Sequence, residues 1–219
     1  MFFLTKQNTL SKYNNYREIG KALNHKIINC FIDRDIILLS GKYLGLVSLV
    51  KKNALIIDNE SETAALMDFA INEYMIDDNS AVQRYKDHGM FENQIEDDIL
   101  NALLKSYTSL FKITNIISQN NILTLTDLLN INCEPIEIID MGLSQTAVAG
   151  LLMFLRIVPF SDFNMSGGLG FAFSNDLEEY LIKEYKHIAK RVKSSSESLK
   201  RYVAFFKLYR RYGIEIDFR

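Results

Sequence analysis

The apolar positions of this chain change period twice. From residue 11 to about 106 they recur every three or four residues. From 107 to 173 they form short runs split by polar turns, and after 175 the helical spacing returns. Tyr16, Ile19, Leu23 and Ile27 predict a helix over 11–30, with Ser11 as its cap. A second helix is expected from Asp33, carrying Ile36, Ile37, Leu39, Tyr43, Leu46, Val47 and Val50, with Gly41 and Gly45 allowing close packing. Ala54–Ile57 reads as a short extended segment. Ser61 is expected to cap a helix that runs to Tyr74 and is broken by Asp77-Asp78-Asn79. Ser80-x-x-Gln83 reads as a capping box, and Gly89 as the left-handed residue closing that helix. Ile95, Ile99, Ala102 and Leu103 predict a helix over 92–106 whose first turn holds Glu92 and Glu96, where the helix dipole favours acids.

Five strands are predicted next: Ser109–Ile117, Ile122–Leu128, Pro135–Asp140, Leu151–Pro159 and Phe163–Phe173. Gln119-Asn120-Asn121 and Asn130-Ile131-Asn132 read as turns. Five strands with short links suggest an antiparallel meander, curled into a small barrel or half-barrel, or left open under the N-terminal helices. Beyond Asn175-x-x-Glu178, a cap-like start, Leu177, Leu181, Glu184, Ile188 and Val192 recur at helical spacing. Ser194-Ser195-Ser196 marks a break. Leu199, Tyr202, Val203, Phe206 and Tyr209 then form an apolar stripe among bases. The expected fold class is α+β: a helical region over 1–106, a small antiparallel sheet or barrel over 107–174, and C-terminal basic helices over 175–219.

Composition narrows the class without naming an activity. With 48% hydrophobic and 24% charged residues in 219, the chain is an ordinary globular one with enough apolar mass for a real core. The longest apolar run, Val148–Leu155, stops at Arg156, far short of the roughly 20 residues of a membrane span. Cys30 and Cys133 have no Cys or His at ligand spacing, which removes an encoded zinc site and fits a reducing cytoplasm. The N-terminal apolar stretch is too short for a signal peptide. A soluble cytoplasmic protein without a cofactor or metal is expected.

Charge is unevenly placed. Between Asp58 and Asp98 twelve acids face two bases, Arg84 and Lys86. Between Lys183 and Arg211 ten bases face two acids. Such asymmetry suggests an anionic partner for the basic end, or two blocks that neutralise each other within or between chains.

The motifs that resemble catalytic loops are incomplete. Gly142-Leu143-Ser144-Gln145-Thr146 has the start of a nucleophile elbow, yet Thr146 stands where the second glycine belongs. The three histidines, His25, His88 and His187, all fall on predicted helices. The expectation is a loop in which Gly142 takes a positive φ and Ser144, Gln145 and Thr146 are exposed. Ser166-Gly167-Gly168-Leu169-Gly170 lacks the last glycine of a dinucleotide fingerprint, since Phe173 stands there, and glycines inside a strand run mark a bulge or bend.

Three stretches carry a family likeness: YREIGKALNHKII, then MDFAINEY with AVQRYKDHG, then LLKSYTSLFKITNI with MGLSQTAVAGLLMFLRIVPFSDFNMSGGLGFAF. By these the chain resembles a group of uncharacterised bacterial proteins with a helical N-terminal half and a small all-β part. The likeness covers about residues 16–173 and leaves the basic helices after 174 outside. It implies the architecture and carries over no activity and no site residues.

The functional expectation is a non-enzymatic interaction or regulatory protein whose basic aromatic C-terminal helices contact a protein partner or a second copy. Lys200, Arg201, Lys207, Arg210 and Arg211 are the candidate partner-binding residues. The alternatives are an enzyme with its site near the 140–146 loop, or single-stranded nucleic-acid binding by the basic tail and the sheet.

Overall fold

The computed structural model describes residues 2–48 and 54–214, the backbone alone for 2–8. The chain divides into two compact units, residues 1–105 and 106–219. No helix among the described residues is long and apolar enough to cross a membrane.

The first unit is helical. α1 (Phe2–Phe31) buries Tyr13, Tyr16, Leu23 and Ile27 along one stripe. α2 (Arg34–Leu44) is capped by Asp33, whose Oδ1 accepts the Ile36 amide at 2.8 Å. It is shorter than its apolar pattern suggests. Gly45, expected inside the helix, ends it in the left-handed region at φ 78, so Leu46 and Val47 fall beyond it. Val50 lies outside the described residues. α3 (Glu60–Asn72) is capped by Asn59, two residues before the expected cap Ser61. Asn59 accepts the Glu62 amide at 2.9 Å while the Glu62 carboxylate accepts the Asp58 amide, and this reciprocal pair sets the start.

α4 (Ala81–Asp87) begins at Ser80, whose hydroxyl accepts the Gln83 amide at 3.2 Å. The other half of the expected capping box is absent, because Gln83 Nε2 donates forward to Asp87 instead. Gly89 stands at φ 63 beyond this helix. α5 (Gln94–Lys105) closes the unit, with the Glu96 amide donating to Asn93. Leu66, Phe69, Val82, Tyr85, Ile99 and Leu100 form the core between these helices.

Part of the acidic block is neutralised inside this unit. Lys26 on α1 donates to Glu92 at 2.7 Å and Glu96 at 2.8 Å, Tyr16 donates to Asp98, and Lys86 on α4 pairs with Asp97 at 3.1 Å. The hydrogen bonds to Glu92 and Glu96 raise the Lys26 ammonium above its ordinary value.

The second unit is a closed five-stranded barrel with helices outside it: β1 (Tyr107–Ile117), β2 (Ile122–Asp127), β3 (Ile136–Ile139), β4 (Leu152–Pro159) and β5 (Asn164–Phe173), in the order β1-β2-β3-β5-β4. All five lie within two residues of their predicted ends. Their order is not that of a meander. β5 sits between β3 and β4, and β3 pairs with β5 in parallel through Ile139 and Met165. A parallel neighbour needs a crossover. The 140–151 connection, which contains the single turn α6 (Leu143–Thr146), carries the chain across so that β4 pairs with β1.

Phe111, Ile113, Leu123, Leu125, Ile138, Met153, Leu155 and Ile157 fill the interior. Apart from Arg156, β4 is apolar on both faces, because both are buried. Met153, Leu155 and Ile157 belong to the interior cluster, while Phe154 stacks on Phe205 of α8 (Glu197–Tyr212) at 4.4 Å. Tyr202, Phe205 and Phe206 of that helix pack against Phe154, Phe171 and Phe173. α7 (Glu178–Ala189) lies against α8 through Tyr185, stacked on Phe205 at 5.2 Å. Between β4 and β5 the register jumps from Leu155↔Gly170 to Ile157↔Ser166, which leaves Gly167, Gly168 and Leu169 as a bulge. Gly168 needs its glycine at φ 90, and a Cβ on Gly167 would come 3.0 Å from Arg156 Cβ.

Candidate functional sites

The Gly-x-Ser stretch is a packed structural turn. Asp140, at the end of β3, is buried; its carboxylate accepts the Leu143 amide at 2.8 Å and the Ser166 hydroxyl from β5. Leu143 inserts into the barrel interior and draws its neighbour inward. Ser144, expected to be exposed, is therefore 1% exposed, with its hydroxyl donating to Met141 O at 3.1 Å and lying 3.3 Å from Asn121 Oδ1. Gly142 has φ −70 and not the expected positive value, because it opens a helical turn. Thr146 is half-buried and donates back to Gly142 O, while Gln145 is exposed and donates to Ser118 O. Ser144, Gln145 and Thr146 each donate to a backbone carbonyl, and none of these partners is a histidine.

The five basic residues chosen on α8 are divided by the fold. Tyr202 and Phe206 of the aromatic stripe are buried and Tyr209 stacks on Phe171 at 4.8 Å, so the stripe is core and the cations occupy what remains. Lys200 pairs with Glu197 at 2.7 Å. Arg201 and Lys207 are half-buried, and burial holds Lys207 below its ordinary ammonium value, with Arg211 adding to the effect. Arg210 and Arg211 are exposed.

The more open cationic surface is on α7. Lys183, Lys186 and Lys190 are spaced so that they share one face, and all three are exposed, as are His187 on that face and Arg191 just beyond it. The opposite face holds Leu181, which is buried, and Tyr185. Among the described residues Lys183, Lys186, Lys190, Arg191 and Arg211 form no ion pair.

The helical unit contains a cleft of about 460 Å³, formed where α1 ends, α2 begins, and the 74–76 segment and α4 meet. Arg84 of α4 lines it. One Nη donates to Phe31 O at 3.3 Å, the guanidinium lies 5.1 Å from the Phe31 ring centroid, and Nε is buried with no partner among the described residues. Desolvation lowers the Arg84 pKa from its ordinary value. Tyr74 lines the same cleft, and burial raises its hydroxyl, with Tyr43 and Asp33 adding to the effect. Among the described residues no group of three His, Cys, Asp or Glu side chains is arranged to hold a metal ion.

A family model described as "Family of unknown function (DUF7986)" matches residues 7–219. The chain belongs to that family. No curated protein and no solved structure matches it. The match covers the basic helices, which the likeness read from sequence left outside at 174, and the packing gives the reason: without Tyr202, Phe205 and Phe206 the outer face of β4 and β5 would lie bare. In this DUF7986 chain α7 and α8 are thus part of the barrel unit and not an appended tail. The cleft escaped sequence reasoning. Its one signal was Arg84, conspicuous as one of two bases in an acidic block.

Proposed function

We propose that this chain is a binding protein, and that its C-terminal unit docks an acidic protein surface on the outer face of α7. The observation that carries the reading is a set of exposed cations that form no ion pair among the described residues: Lys183 and Lys186 on α7, and Lys190 and Arg191 at its C-terminal end, with the other face of the helix anchored to α8. Like charges gathered on one solvated face repel one another, and an acidic partner relieves that repulsion. Arg211 extends the patch past Tyr180, whose hydroxyl lies 3.0 Å from that of Tyr212. A second copy is one such acidic surface, since Asp58, Glu60, Asp77, Asp78 and Asp87 of the helical unit are all exposed. The hydrogen bonds of Ser144 and Asp140 support a structural role for the 140–146 turn. A cytoplasmic setting is supported by the two exposed free thiols, Cys30 and Cys133.

Nucleic acid is the second reading, favoured by the barrel. A closed five-stranded barrel with one crossover has the form of the OB-fold, which binds oligonucleotides across its second and third strands; this is an analogy of form. Here those strands are ILTLTD and IEII, which hold no aromatic side chain for a base to stack on.

The test is the triple change Lys183→Glu, Lys186→Glu and Lys190→Glu. A poly-glutamate peptide and a mixed-sequence single-stranded oligonucleotide are titrated at low and high salt, with sedimentation to follow self-association. The expected result is salt-sensitive binding of the peptide, or self-association, that the triple variant loses. Binding of the oligonucleotide alone moves the assignment to the second reading. Unchanged behaviour in all three assays rejects both.

A further inference from the structure

The cleft at the α1–α2 junction holds polar groups that the protein itself does not use. Arg84 has five N–H donors, and the structure gives it one acceptor, the Phe31 carbonyl. Among the described residues it forms no ion pair. An arginine left this way in a partly desolvated wall costs stability unless something accepts from it. Nearby, the Tyr74 hydroxyl also makes no hydrogen bond among the described residues. A cationic side chain with donors to spare and a hydroxyl without an acceptor among the described residues thus line the same space.

The same cleft carries negative charge. Asp33 and Asp35, flanking the start of α2, are both exposed and line it. Asp33 uses one carboxylate oxygen to cap Ile36, and Asp35 makes no ion pair among the described residues. The lining therefore holds one cation and two anions. A plain anion would gain Arg84 but meet the two aspartates, and a plain cation would meet the reverse. Ile32, Ile36, Leu39 and Ile76 supply an apolar part of the wall, and Asn29, Cys30 and Phe31 complete it. A volume of about 460 Å³ lies within the range of small-molecule sites.

We propose that this cleft binds a small zwitterion with an apolar side chain, of the free α-amino acid class. Its carboxylate is held by Arg84 and Tyr74, its ammonium faces Asp35 and Asp33, and its side chain lies on the isoleucine and leucine wall. Each ligand charge meets its opposite, and the Tyr74 hydroxyl and the remaining Nη donors of Arg84 gain an acceptor. This site belongs to the helical unit and stands or falls apart from the cationic face of α7.

Calorimetric titration of the full chain tests it with three probes of one shape: L-leucine, 4-methylpentanoate, which lacks the ammonium, and 3-methylbutylamine, which lacks the carboxylate. The expected result is saturable binding of L-leucine, with each truncated probe at least tenfold weaker. Arg84→Gln, checked for folding by circular dichroism, is expected to weaken L-leucine at least tenfold. Asp35→Asn, at an exposed position that leaves folding intact, is expected to weaken L-leucine while leaving 4-methylpentanoate unchanged or tighter. The proposal is overturned if L-leucine, L-methionine and L-phenylalanine all fail to bind up to about 10 mM. It is equally overturned if 4-methylpentanoate binds as tightly as L-leucine, or if Asp35→Asn leaves the preference between them unchanged.

Discussion

In the helical unit Lys26 reaches from α1 to Glu92 and Glu96, partners 66 and 70 residues away. In the barrel unit the buried acids work closer to home. Asp127 accepts the amides of Leu129 and Asn130 and the Asn130 side chain, and across the strands it takes the Ser109 hydroxyl at 2.6 Å. Asp140 holds the turn that follows it and ties that turn to β5. The difference follows from what positions each backbone. A barrel's strands are placed by their ladders, so its buried carboxylates need only close the ends. Helices share no ladder, and long polar side chains help to set their spacing. Among the described residues, unused polar groups remain in both units, around Ser40 and Arg84 in the first and around Thr108 and Arg201 in the second.

The contrast can be broken in graded ways. Phe205→Ala in α8 should have the largest effect, because it removes the ring stacked on Phe154 and Tyr185. A loss of about 3–5 kcal/mol is expected, read as a lower denaturation midpoint of the barrel unit. Asp140→Ala should cost about 1–3 kcal/mol by leaving the Leu143 amide and the Ser166 hydroxyl without their acceptor. Any gain of hydrolytic activity at that turn would contradict its structural role.

Glu96→Gln sharpens the helical side. Burial on its own would raise the Glu96 carboxyl, but the hydrogen bonds from Lys26 and the Glu92 amide outweigh it and hold the group below its ordinary 4.5. A carboxyl depressed on folding contributes stability that is present above the unfolded value and lost as pH falls through the folded one. The helical unit should therefore weaken from about pH 5 downward, and Glu96→Gln should flatten that slope in pH-dependent urea melts. Lys183→Glu on the outer face of α7 should change stability least, by about 0.5 kcal/mol or less, so any larger change in melting would show that the face is already engaged within the chain.

Much of this division is legible in the residues. The strand ends follow from short apolar runs meeting Asn-rich turns, and the bulge follows from three glycines inside a strand run. The pairing of β3 with β5 is not legible, because register between strands separated by a crossover leaves no local mark. Ser144 is misread from sequence since its burial depends on Leu143 entering the barrel, a tertiary event. The cleft is illegible for the same reason. Asp33, Asp35, Tyr74 and Ile76 are each unremarkable in their own segments, and with Arg84, the one residue that stands out, they make a site only when assembled.

The single bridge between β3 and β5 also has a kinetic side. The β1–β2 and β4–β5 pairings join neighbours in the chain over many residues, whereas the closing contact rests on Ile139 and Met165, helped by Asn164 donating to Glu137 O. Loop-closure entropy is met early for the hairpins and late for the seam. Amide hydrogens along β3 should then exchange with solvent sooner than those of β1 and β4, as the barrel parts along this line well before its hairpins come undone.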